Sequence, residues 1–133
     1  MKILKFALIL IGISQLVLGA FHLFMPIAFL EYQGHGMLSA DIGYPMGMLA
    51  ARFFVYGVGM FYIARQPLKN MFWLEGMVAI QAIDLAAGLF YTGTGIVDIA
   101  HSGIAMFNAT FFIVIMLAYR AGIKSGATQK VAL

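Results

Sequence analysis

The apolar positions of this chain fall into four long runs, at residues 3–25, 46–64, 71–91 and 97–119. Each is long enough to cross a bilayer as a helix, which takes roughly 20 residues. Pro26 stops the first run and Pro67 follows the second. The stretch between them, 26–45, mixes apolar residues with Glu31, His35 and Asp41, and "IAFLEY" within it predicts a short interfacial helix. The other connections are tight, so consecutive spans are expected to be antiparallel neighbours. The pattern predicts one all-α domain over 1–133, a four-helix transmembrane bundle running up-down-up-down. After the last span comes a tail, 120–133, of which "KSGATQKVAL" (124–133) is expected to be disordered.

Polar and small residues recur within each run at helical spacing, three, four or seven apart. Gly12, Gln15, Gly19 and His22 fall within an arc of about 80° on the first span. Arg52, Tyr56 and Gly59 align on the second, and Gln81, Asp84, Gly88 and Tyr91 on the third. Asp98, His101, Ala105 and Asn108 form a similar arc on the fourth. Polar side chains facing lipid are costly, so the four stripes are expected to point inward.

Depth sharpens this picture. Arg52 lies about 9 Å from the near end of its span and Asp84 about 10 Å from the corresponding end of the next. Opposite charges nearly level on neighbouring helices predict an Arg52–Asp84 ion pair. His22 and His101 lie in the same half of the bundle. The expected site is therefore a polar cluster of Arg52, Asp84, His22, His101 and Asp98, with Gln81, Gln15 and Tyr56. Glu75 lies on the far side of its helix from Asp84. It is expected to favour the helix N-terminus and reach Lys69 or lipid headgroups.

Composition agrees with the membrane reading. The chain is 63% hydrophobic and 10% charged, against about a quarter charged in soluble domains. The absence of cysteine excludes disulfides, thiolate metal sites and cysteine nucleophiles. The +3 net charge is mostly an orientation signal. Lys2 and Lys5, Arg65 and Lys69, and Arg120, Lys124 and Lys130 all fall where both termini and "RQPLKN" would be cytoplasmic. No basic and aromatic groove points to nucleic acid. The first twenty residues resemble a signal peptide, but the apolar run continues past Ala20 and Leu18 is a poor residue before a cut there, so retention is expected. Trp73, Tyr44 and Tyr91 read as interfacial anchors.

The candidate chemistry stays open. Arg52 and Asp84 are either a packing pair or part of a ligand or proton site. Asp98-x-x-His101, with His22, has the residue types for a metal ion, and equally for a carboxylate orienting an imidazole. His22 and His101 are also a formal pair of haem ligands. Neither a nucleophile–base constellation nor a phosphate-binding loop nor a metalloprotease motif is present.

With "MLAARFFVYGVGMFYIAR" in its second span, Gly12 and Gly19 in the first, and Asp84 in the third, the chain resembles the DoxX-like superfamily, closest to its BphX-like branch. The resemblance covers residues 5 to 120. It implies a four-helix bacterial inner-membrane protein and, by association, quinone-linked or redox-protective complexes; fold-level likeness does not transfer a reaction. Three functions are then in view. The first is an accessory or structural subunit of a membrane complex such as a respiratory one. The second is a redox-associated protein holding a quinone-like head group in an outer-leaflet polar pocket, hydrogen-bonded by Arg52, His22 or His101. The third is a small oligomeric transporter. Quinone is the leading candidate cofactor, with haem and metal behind it. The expected partners are lipid and either a second membrane protein or further copies of the chain.

Overall fold

A computed structural model describes the backbone of residues 1–131 and the side chains through Gly126. Five α-helices account for most of it: α1 (Lys2–Phe24), α2 (Pro26–Tyr32), α3 (Gly43–Arg65), α4 (Met71–Gly93) and α5 (Ile99–Val131), with 3-10 turns at Ala40–Ile42 and Leu68–Asn70. There is no strand among the described residues. Among the described residues four helices are long and apolar enough to cross a membrane. Each of α1, α3 and α4 has 23 residues, about 35 Å of helix.

The helix ends follow from local chemistry. Pro26 denies α1 a further backbone donor and opens α2 at its first position, where its fixed φ suits a helix start. Pro45 falls within the first turn of α3, where no intrahelical donor is needed, so that helix begins before the proline rather than after it. Asn70 closes the other end of α3, its Nδ2 donating to the carbonyls of Tyr62 at 3.2 Å and Gln66 at 2.7 Å. The α4–α5 link is a Schellman turn. Gly95 takes the left-handed conformation at φ 73°, and the Ile96 and Gly95 amides donate back to Tyr91 and Thr92. Asp98 then caps α5, its carboxylate accepting the Ala100 amide at 2.7 Å.

The expected disorder of 124–133 is corrected as far as Val131. α5 runs on through Val131, a helix of 33 residues or about 50 Å. Ala121, Lys124, Ala127, Gln129 and Lys130 are good helix formers, and they carry the helix beyond the hydrocarbon. Residues 132–133 lie outside the described residues.

Two tight helix pairs build the core. α1 packs along α3, and α4 along α5, whereas contact between α3 and α4 is sparse. Along α1 and α3 the contacts run in opposite chain directions, with Gly12 by Gly57 and Met60, Gly19 by Phe53 and Phe54, and Leu23 by Gly47. Along α4 and α5 Thr92 meets Ser102, Gly88 meets Met106 and Glu75 meets Arg120. A core of Leu8, Ile11, Tyr56, Met60, Ile63, Leu74, Met77, Met116, Tyr119 and Ile123 joins the pairs. Most of it lies towards the Leu68–Asn70 turn. Large apolar side chains such as Phe6, Val55, Ile83, Phe107 and Val114 face outward, as lipid-facing positions do.

Candidate functional site

Arg52 and Asp84 meet as a two-pronged ion pair. One terminal guanidinium nitrogen donates to Oδ1 at 3.0 Å and the other to Oδ2 at 2.7 Å. Arg52 lies nine residues into α3 from Gly43, and Asp84 nine residues from the α4 end at Gly93. Both are therefore about 14 Å from the end of the bundle that carries α2. The pair is half-buried, with 37% and 32% of the two side chains exposed. Three further guanidinium donors remain, and one of them, Nε, is buried without a hydrogen-bond partner. The Arg52 guanidinium also lies over the Phe53 ring, 5.4 Å from its centroid.

Below the pair, towards the Leu68–Asn70 turn, α3 and α4 separate and a groove opens. It consists of two adjoining cavities of about 430 and 500 Å³ that share Val55 and Trp73. Arg52, Tyr56 and Ile80 stand at the deep end, Gly76 and Phe72 along the α4 wall, and Tyr62 and Asn70 at the turn end. The lining is almost wholly apolar, with the guanidinium as its one cation. A Cβ added at Gly76 would meet nothing within 4 Å, so that glycine leaves real space.

Three of the polar stripes are partly internal. On α1, Gly12, Gln15, Gly19 and His22 are all buried. On α3 Tyr56 is buried, its hydroxyl pointing to Met116 Sδ at 3.5 Å, and on α4 Gln81 is buried. The Gln15 amide oxygen has no hydrogen-bond partner.

The fourth stripe does not point inward. Asp98, His101, Ala105 and Asn108 are exposed, and α5 instead buries Ala109, Met116, Tyr119 and Ile123. Packing volume decides the face, because Met106 fills the space left by Gly88 and Met116 lies over Tyr56. Asp98 is occupied in capping. His101 donates Nε2–H to the Gly34 carbonyl at 3.1 Å and stands 5.8 Å from the His35 ring.

His22 does not join the ion pair either. Its Nδ1–H donates to the Leu18 carbonyl at 2.8 Å, and its ring packs between Phe29 and Phe53. Phe53 touches both His22 and Arg52, but no hydrogen bond links them. The two histidines considered as haem ligands thus share no contact. Among the described residues no three His, Asp or Glu side chains gather closely enough to share a metal ion, so Asp98, His101 and His22 are not a metal triad. Glu75 pairs with Arg120 of α5, at 2.7 and 3.0 Å, rather than with Lys69. The longer reach of α5 brings Arg120 alongside.

Gly57, absent from the stripes, is the main omission. A Cβ there would lie 2.8 Å from the Gly12 carbonyl oxygen. Its signal is present in the sequence: Ala50, Gly57 and Ala64 recur every seven residues and all are buried.

Comparison with protein families, curated proteins and solved structures finds no match to this chain. The functional reading therefore rests on the groove and the ion pair at its end.

Proposed function

We propose that the chain is a DoxX-like protein of the bacterial inner membrane, crossing it up-down-up-down with both termini cytoplasmic. In this reading its α3–α4 groove holds a quinone-like amphiphile. The observation that carries the proposal is an apolar, lipid-accessible groove with a guanidinium at mid-depth. A flat ring fits beneath the ion pair beside Val55, Tyr56 and Ile80, with Gly76, Trp73 and Phe72 farther along the groove. A ring carbonyl accepts a hydrogen bond from an Arg52 N–H that Asp84 leaves free. Asp84 holds the guanidinium in orientation, and the tail runs past Tyr62 and Asn70 towards the headgroups. The polar end of the site is thus the ion pair alone, without the histidines.

Trp73 is the sole tryptophan and lines both cavities. A short-tailed benzoquinone titrated into the purified protein should quench its fluorescence saturably. Gly76→Leu, whose Cβ meets nothing and whose side chain occupies the groove, should leave only the linear quenching caused by partitioning into lipid. Identical linear quenching in both proteins would sink the reading. The accessory-subunit alternative places a partner's side chains in the same groove. It would be favoured by a larger polypeptide that co-purifies in mild detergent and is lost in Gly76→Leu.

A further inference from the structure

Asn108 lies nine residues into α5, about 14 Å from the α2 end of the bundle and level with the Arg52–Asp84 pair. It is exposed. Its neighbours on the outer surface, Ile104, Phe107 and Phe111, are exposed and apolar. Among the described residues nothing hydrogen-bonds its carboxamide. The nearby Thr110 is different, because it satisfies itself on the Met106 carbonyl of its own helix. A carboxamide on so short a side chain cannot reach the headgroups from that depth, as a lysine can. A donor and acceptor in hydrocarbon at mid-depth call for a partner in the membrane.

We propose that Asn108 pairs with Asn108 of a second copy of this chain, so that the outer face of α5 is the two-fold interface of a homodimer. A two-fold axis along the bilayer normal keeps every residue at its own depth. Asn108 therefore stands level with Asn108 of its partner, and the two meet where the α5 helices cross at that depth. A primary amide carries both donor and acceptor, so two copies satisfy each other reciprocally. Ala105, exposed one turn away, is small enough to let the backbones approach, and the Phe107–Phe111 stack flanks the contact. None of the groove-lining residues belongs to α5, so the dimer leaves the groove open and does not depend on what it binds.

The test uses the full chain in phospholipid vesicles. Energy transfer between donor- and acceptor-labelled copies, measured against protein-to-lipid ratio, reports association. Asn108→Leu should weaken it about tenfold, and Asn108→Gln should restore most of it. Because the chain has no cysteine, Ala105→Cys should give a disulfide dimer on oxidation, whereas Ile83→Cys on the exposed face of α4 should not. Asn108→Leu replaces a lipid-facing amide with an apolar side chain, so helix content by circular dichroism should not fall. Association that is absent in the unaltered chain, equal in Asn108→Leu, or cross-linked preferentially through Ile83→Cys would overturn the proposal.

Discussion

Arg52 and Asp84 tie two helices that otherwise touch little. The guanidinium of α3 and the carboxylate of α4 form two parallel hydrogen bonds where contact between those helices is sparse. Most of the remaining packing lies within the α1–α3 and α4–α5 pairs. Removing either partner leaves an uncompensated charge at mid-depth, at a cost of about 3–5 kcal/mol in soluble proteins and less in membranes. Arg52→Ala and Asp84→Ala should each destabilise strongly, and the double variant by much less than their sum. Unfolding measured in bilayers by a double-mutant cycle checks this, and a coupling near zero would show that the contact is not energetically real.

The close approach of α1 and α3 depends on Gly12 and Gly57. A methyl at Gly57 would sit 2.8 Å from the Gly12 carbonyl and from Leu16, so the helices must move apart. Gly57→Ala should cost about 1–3 kcal/mol through overpacking. Gly76→Ala, which meets nothing, is the matched control and should be near neutral. Alanine is the better helix former, so propensity alone would stabilise both variants; equal effects at the two sites would mean that the close approach at Gly57 does not set stability.

Gly34 is held to glycine twice over. Its φ is +91°, and a Cβ would lie 2.7 Å from His101 Nε2. Gly34→Ala should strain the loop and push the imidazole off the carbonyl it holds. Amide exchange over residues 33–39 should then quicken, and His101→Ala should quicken it similarly with no change at Gly34. If the loop exchanges at the same rate in all three proteins, the His101 contact does not restrain it.

How much of this was legible in the sequence differs by feature. The spans were, because composition and length alone meet the demands of a bilayer. The ion pair was, because helical rise converts residue number into depth and only two charges share that depth on α3 and α4. The α5 face was not. Polarity picks the stripe of Asp98, His101 and Asn108, but Met106 against Gly88 and Met116 against Tyr56 set the rotation of the helix. Asp98 and His101 sit in the first turn and its cap, where backbone amides and a loop carbonyl claim them. The groove was least legible, since it is space between helices. Its trace in the sequence is Gly59 and Gly76 beside the bulky Tyr62 and Trp73.

The molecule contains a second Arg–carboxylate contact, at similar distances but with both donors on one carboxylate oxygen, and in a different environment. Arg120 donates twice to Glu75 Oε1 near the Leu68–Asn70 end of the bundle, with 35% and 51% of the two side chains exposed. Both groups lie where water and headgroups can solvate them. Glu75→Gln should therefore cost less than about 1 kcal/mol, and its coupling to Arg120→Gln should shrink as salt rises. The Arg52–Asp84 coupling should hold constant from low to high salt, because ions do not enter the hydrocarbon. The salt dependence of the two cycles thus reports the surroundings of each pair. If the Glu75–Arg120 coupling is as large and as salt-resistant as the other, then that end of the bundle is buried by something other than bilayer or water.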